Sequence, residues 1–517
     1  MNNDLQTVFD YHETTKHSQQ RYARSLGYMD WNTQPNPFRN YNGAKNIELP
    51  LAMNNPTPPY HLLDSDLPPA PLLEQSLSQL LQFSMGIAAY KESTGSSWAV
   101  RCNASSGNLH PTESYLVLPP MMNSDKTLVH HYTPKNHGLE LLNELDTSFW
   151  NNLPENSFLL GLSSITWREV WKYGERAFRY TQLDAGHAWQ SIVVSAKMLG
   201  WKITRLDSIS DADIDTLFGL KQESRFFERE NADMLFVISP QAVDSSISID
   251  ELLQDTPLNF DGISNKLSPS MQNWDIIPQI EDATSRMQIS QKDGLKQNIQ
   301  REPTLESKNV VLNRRSVHVM HQDTSLITKS EFHTLLSSVN TSLDSKENSA
   351  HLAIFVHRVK EYDSGLYILV RNERDLESLK LNMHDDFLWK ETELDKLYFL
   401  ENRDFKTASK SVSCSQDIAS DGAFSLGMLC NFSGQLNDFG AHRYKELYWE
   451  CGMIGQELYL EATSLGLSGT GIGCFLDDMM HGLLGIKNNS FQVLYHFTVG
   501  RGNVDSRIMT KPAYTRK

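Results

Sequence analysis

The chain has 517 residues, 39% of them hydrophobic and 10% aromatic, with ten tryptophans, a composition that supports more than one buried core. Its net charge of −16 argues against a nucleic-acid or anionic-membrane partner, and no apolar run reaches the ~18 residues of a membrane span. The start, Met1-Asn2-Asn3-Asp4-Leu5, lacks the basic and apolar regions of a signal peptide, and the five cysteines (Cys102, Cys414, Cys430, Cys451, Cys474) show no paired spacing. A cytoplasmic protein with no disulfide framework and no metal site is the expectation.

In chain order, residues 1–59 read as an N-terminal extension. Its His12-Glu13-Thr14-Thr15-Lys16-His17 run has the composition of a zinc motif, but a helix needs histidines at i and i+4, and this spacing sends them to diverging faces. Residues 60–240 read as a first domain, with a helical pattern around Leu80-Leu81 and then Arg101-Cys102-Asn103-Ala104-Ser105-Ser106-Gly107-Asn108-Leu109-His110-Pro111-Thr112-Glu113. That loop gathers short hydrogen-bonding residues around one glycine, which lets backbone N–H groups approach a planar or phosphorylated ligand. It runs into the apolar strand Ser114–Leu118. Further strands are expected at Phe158–Leu162 and Met234–Ile238, with a long helix between them that follows Trp171-Lys172-Tyr173-Gly174 and ends at Leu199-Gly200.

Residues 241–309, rich in Ser, Asp, Gln and Asn, read as a polar linker. A second domain, residues 310–517, opens with Asn313-Arg314-Arg315-Ser316-Val317-His318, where two forked guanidinium donors and a hydroxyl could hold a phosphate just before a helical segment. Strands at Leu352–Val356 and Gly365–Val370 follow, then a long helix ending at Leu465-Gly466. After it come Gly469-Thr470-Gly471-Ile472-Gly473-Cys474-Phe475 and a last strand, Phe491–Val499, leading to Gly500-Arg501. The Gly-rich run follows a helix rather than a strand, so a Rossmann reading fails. Alternation of strands and helices implies an α+β (α/β three-layer sandwich) domain, present in two tandem copies.

The copies align. Gly174, Gly186 and Gly200 recur as Gly440, Gly452 and Gly466, each 266 residues later, while Leu80-Leu81 matches Leu335-Leu336 at an offset of 255. His137-Gly138-Leu139-Glu140 matches Arg374-Asp375-Leu376-Glu377 at 237, so the second copy lacks 18 residues where the first carries its Arg101–Glu113 loop. The loop exists once. The Arg-Arg-Ser run, the glycines and Arg501 also exist once, in the other copy.

The Arg101–Glu113 loop resembles the flavin-binding loop of the FMN-dependent nitroreductase superfamily, most closely its azoline-dehydrogenase (SagB/ThcOx-type) branch. The resemblance implies a nitroreductase-like fold in both copies, arranged as a fused internal pseudo-dimer with one composite FMN site between them. It implies flavin contacts from Arg101, Asn103, Ser105, Ser106, Gly107 and Asn108 of the first copy. From the second it implies a phosphate clamp of Arg314, Arg315 and Ser316, a backbone passing the ring at Gly471, Ile472 and Gly473, and a phosphate contact from Arg501. The family pattern has a basic residue two places after the serine, and His318 stands there instead. Lys172 and Tyr173 resemble the proton-transfer pair of azoline dehydrogenases, which need burial or a neighbouring cation to act as bases near neutral pH. The reaction so implied is dehydrogenation of a small heterocycle or modified peptide. Reduction of nitro compounds or quinones by NAD(P)H, and a non-catalytic flavin-binding scaffold of a peptide-modifying complex, remain alternatives. Oligomerisation beyond the pseudo-dimer is not legible.

Overall fold

The computed structural model describes residues 3–256, 259–287, 305–340, 348–503 and 505–514. The chain forms two compact units. One, the N-unit, comprises Ser25–Asp293, Glu306–Leu312 and Ile508–Lys517; the other, the C-unit, comprises Met1–Arg24, Gly294–Leu305 and Asn313–Arg507. Among the described residues no helix is long and apolar enough to cross a membrane.

In the N-unit, seven antiparallel strands lie in the order Lys45–Glu48, Gly138–Leu145, Thr127–Thr133, Thr112–Leu118, Phe158–Ser164, Asn231–Ser239, Lys202–Arg205. The central strands are buried at every residue because both faces are covered. Tyr115, Val117 and Leu159 point to one face, where they pack with Ile214, Leu217 and Phe218 of the helix Asp211–Phe218. Their neighbours Leu116, Leu118, Phe158, Leu160 and Leu162 point to the other, against the long helix Ala177–Lys197. Gly161 makes room for this packing, since a Cβ there would lie 2.3 Å from Phe218 Cε2.

The C-unit repeats the plan with Lys390–Glu391, Leu397–Glu401, Gly365–Leu369, Ala350–Val356, Phe424–Asn431, Phe491–Gly500 and Ser468–Ile472 in that order. The equivalent strands beginning at 158 and 424, the long helices beginning at 177 and 443, and the edge strands beginning at 202 and 468 are each 266 residues apart. The helices Glu74–Ser84 and Lys329–Val339 keep the offset of 255. The tandem reading of the fold therefore holds.

Three expectations change. The pairing of 137–140 with 374–377 fails: the former opens a strand, the latter is the turn Glu373–Asp375 running into the helix Leu376–Asn382. The missing segment is nonetheless where it was placed, because residues 85–111 join helix to first strand in the N-unit and only residues 340–349 do so in the C-unit. The stretch 241–309 is not all linker. Asp250–Asp255 and Ile276–Ala283 are helical and Ile263–Ser264 pairs with Tyr41–Asn42. Ile249, Leu252, Ile277 and Ile280, thinly spread through polar sequence, supply the buried face; residues 288–304 lie outside the described residues. Finally, Cys414 and Cys474 are joined as a disulfide, 60 residues apart in sequence, a separation at which spacing gives no hint of pairing.

A buried charge network ties the N-unit's loop to its sheet. Glu113, on the first turn of the strand after the loop, contacts Arg168 and His131, and His131 also bonds Glu140 at 2.9 Å. Burial alone would raise the Glu113 carboxyl, but Arg168, His131 and Arg101 hold it down at about 2. Burial opposes protonation of His131, yet Glu113 and Glu140 lift it to about 9. Glu113→Gln leaves Arg168 buried beside a neutral group and is predicted to cost the N-unit about 3–5 kcal/mol in urea unfolding. A loss under about 1 kcal/mol would show the pair to be solvated instead.

Candidate active site

In the N-unit the loop turns through Ser106–Asn108, with Gly107 at φ 59° and Asn108 also at φ 59°. At Gly107 the missing side chain is the point: a Cβ would lie 2.9 Å from Tyr173 Oη and 3.1 Å from Lys172 Nζ. The loop and the Lys-Tyr pair, 65 residues apart in sequence, therefore form one cluster around an exposed glycine. The short helix Trp167–Tyr173 delivers both heads and ends at Gly174, whose φ of 55° breaks it before the long helix begins.

Beneath the loop lies Asp184, on the long helix and 1% exposed. Its carboxylate accepts the Ser106 N–H at 2.9 Å and the Ser106 hydroxyl at 2.9 Å. Ser105 Oγ accepts the His110 N–H at 2.8 Å; Asn108 Nδ2 donates to the Ala99 carbonyl at 2.8 Å. Ser105, Ser106 and Asn108 thus use their side chains to shape the loop. Asn103 is buried, and its Oδ1 has no hydrogen-bond partner among the described residues. Arg101 sits in the interior, donating to the Pro37 carbonyl with its guanidinium 5.5 Å from the Phe38 ring; burial lowers it to about 10.

The electrostatics sort the groups. Burial raises Asp184 to about 7 despite the hydrogen bonds from Ser105 and Ser106. Glu169 is fully buried with neither carboxyl oxygen hydrogen-bonded among the described residues, and burial with Asp184 nearby holds it well above the carboxylate range. Burial foremost pushes the Tyr173 hydroxyl well up. Tyr173 therefore stays a neutral donor. A base needs the opposite shift, so the tuning that the sequence reading required is not there for this residue.

In the C-unit, Arg314-Arg315-Ser316 run in extended chain, and the next helix starts only at Lys329, later than the sequence suggests. Ser316 forms a parallel bridge to Gly469 and its hydroxyl lies 2.7 Å from Tyr459 Oη. Tyr459 Oη accepts the Gly471 N–H at 2.8 Å, and Arg314 stacks over the Tyr459 ring at 5.1 Å. Tyr459, on the long helix Arg443–Ser464, is the hub that sequence reading missed. Gly471 has no room for a side chain, since a Cβ would fall 1.8 Å from Tyr495 Oη. Arg314 is buried, while Arg315, Ile472 and Gly473 range from half-buried to buried along this edge. Arg501 follows Gly500, which pairs with Ser468 next to the bridge; its side chain is 42% exposed, with Nη2 3.8 Å from Glu331 Oε1. His318 is exposed.

Residues 312–501, the stretch that holds this edge, match the nitroreductase family. A solved protein of Anabaena variabilis, provisionally described as a nitroreductase, is similar across 96% of this chain and 99% of its own, with a TM-score of 0.72 and 20% identity. The fold is thus nitroreductase-like. The trifolitoxin-processing protein TfxB of Rhizobium leguminosarum bv. trifolii is 26% identical over 169 residues, 29% of this chain and 45% of that protein. The chain accordingly spans under half the length of this curated relative.

Asp184, shifted from 3.8 to about 7, makes the folded N-unit hold a proton that the unfolded chain releases. Stability from this group is fullest below pH 4 and is lost as pH rises through 7, by up to about 1.4 kcal/mol per pH unit. From pH 5 to 8 the wild-type urea midpoint should fall relative to that of Asp184→Asn, which cannot titrate. Parallel profiles would contradict the assignment.

Proposed function

We propose that this chain is an FMN-dependent oxidoreductase of the azoline-dehydrogenase (SagB/ThcOx-type) kind, acting on a small heterocycle or a modified peptide and carrying one FMN per polypeptide. The observation that carries the reading is the convergence of Lys172 Nζ and Tyr173 Oη on Gly107, the exposed glycine of the one loop that resembles a flavin loop. The name of the matched relative, a toxin-processing protein, supports a substrate in the maturation of a biosynthetic product.

The residues fit the cofactor. Arg314, Arg315 and Ser316 supply the donor set for its phosphate, with Arg501 at the adjoining strand end. The Gly471–Gly473 segment, where a side chain has no room at Gly471, suits close backbone approach to a ring. Asn103 Oδ1, without a hydrogen-bond partner among the described residues, is a buried acceptor suited to a ring N–H. Each determinant occurs once in the sequence, which supports a single flavin.

Bound FMN would supply the two-electron acceptor for a hydride. The chain's own part is the proton. Tyr173, kept neutral by burial, can donate a hydrogen bond at Oη to a ring heteroatom of the substrate. Lys172 Nζ, beside the same Gly107, is placed to take up the proton leaving the neighbouring carbon when it is in its neutral amine form. Asp184 acts through Ser105 and Ser106 to keep Gly107 under both heads.

Lys172→Ala and Tyr173→Phe should each lower the rate of substrate-dependent anaerobic flavin bleaching by about 10²-fold or more while FMN stays bound. Unchanged bleaching would remove the pair from the mechanism. Rapid bleaching by NAD(P)H alone would favour the reductase over the dehydrogenase.

A further inference from the structure

We propose that Cys414, Cys474 and His17 form a binding site for a thiophilic divalent ion of the Zn2+ class, open when the two cysteines are reduced and closed when they are joined. The three lie together in the C-unit, whereas Lys172 and Tyr173 belong to the N-unit.

The site is assembled from three distant parts of the chain. Cys414 sits in the turn after the helix Lys406–Val412, at φ 53° with Ser415 at φ 59°, a left-handed pair that a non-glycine residue adopts only where its surroundings hold it. Cys474 stands two residues beyond the edge strand Ser468–Ile472, and its carbonyl accepts Gln416 Nε2 at 3.2 Å. The two Cα atoms are 5.9 Å apart. His17 Nδ1 lies 3.9 Å from Cys474 Sγ, and the donor atoms of all three residues fall within 4.8 Å of one another. His17 is fixed by a reciprocal pair: its N–H donates to Asp477 Oδ2 at 2.9 Å, and the Asp477 N–H donates to its carbonyl at 3.0 Å. Its ring packs on Tyr22, 4.6 Å between centroids.

Two thiolates and an imidazole are a borderline-soft donor set, and three protein ligands leave the fourth tetrahedral position for water. Bonds of ~2.3 Å to one ion hold two sulfurs roughly 3.7 Å apart, a change that side-chain rotation supplies on this backbone. The other close sulfur pair behaves differently. Cys430 and Cys451 are 3.6 Å apart but wholly buried, and belong to no such donor group among the described residues. Cys414 and Cys474 are only half-buried and within reach of a small thiol.

Opening is a thiol–disulfide exchange. The thiolate of a low-molecular-weight thiol attacks one sulfur, the Cys414–Cys474 bond breaks, and one cysteine leaves as thiolate. A second small thiol then resolves the mixed disulfide. The protein disulfide and two small thiols become two cysteine thiols and one small-molecule disulfide. Ion binding displaces the two thiol protons. The bound ion would fasten His17, and with it the N-terminal segment, to the chain just beyond Gly471–Gly473.

The test uses the full chain, reduced with a small thiol, desalted without oxygen and dialysed against Zn2+. One zinc per reduced chain is expected and none per oxidised chain. Zinc should slow alkylation of Cys414 and Cys474 by iodoacetamide about tenfold or more while leaving Cys102 unchanged, and His17→Ala should weaken binding at least about tenfold. Since the protection is read on the wild-type protein, a poorly folding variant does not blur the answer. Reduced protein that takes up no zinc at micromolar concentration, zinc bound without protection of the two cysteines, or equal binding by oxidised protein would each overturn the proposal.

Discussion

The buried contact of Arg168 with Glu113 is the constraint on which the N-unit's site depends. Arg168 is the second residue of the short helix that ends in Lys172 and Tyr173; Glu113 is the second residue of the strand that leaves the loop. The same guanidinium donates to the His110 carbonyl at 2.6 Å and, through Nε, to the Asn36 carbonyl at 3.1 Å. Both charges are out of water, so parting them would strand each in a low-dielectric interior. Helix and loop are thereby locked together. Gly107 then lies under the Lys172 and Tyr173 heads as a consequence of that lock and of Asp184 holding Ser106 from below.

The C-unit's edge is gathered instead around one neutral side chain, Tyr459. Tyr459 bonds Ser316 through its hydroxyl, receives the Gly471 N–H, and lies under the Arg314 guanidinium. A single phenol on a long helix thus fixes the spacing between the arginine run and the glycine strand. Tyr495 closes the strand's back so tightly that Gly471 tolerates no side chain. Cation over ring, hydroxyl to hydroxyl and backbone to hydroxyl are individually modest interactions, but they share one rigid anchor. Arg315 and Arg501 are partly exposed along this edge.

Much of this was legible in the sequence. The repeated glycines at a spacing of 266 anticipated equivalent strands and helices to the residue, because helix ends and tight packing leave few choices there. The singular loop and the singular arginine run were likewise visible by comparing the copies. What escaped were relations among residues far apart in sequence. Nothing local in Leu183-Asp184-Ala185 says that its carboxylate holds a loop 78 residues earlier, and Tyr459 reads as an ordinary helical aromatic. Cys414 and Cys474 gave no pairing signal because only the fold brings them together. The polar stretch 241–309 misled because average composition hides a few well-spaced apolar residues.

The two units carry unlike sets of features on like scaffolds: the loop with its Lys-Tyr pair on one, the arginine run with its glycine strand on the other. On the proposed reading, determinants that each occur once serve a single flavin. The most direct measurement is the molar ratio of FMN to polypeptide in protein purified or reconstituted with excess flavin. The account predicts one FMN per chain. Two per chain, or none after reconstitution, would contradict it.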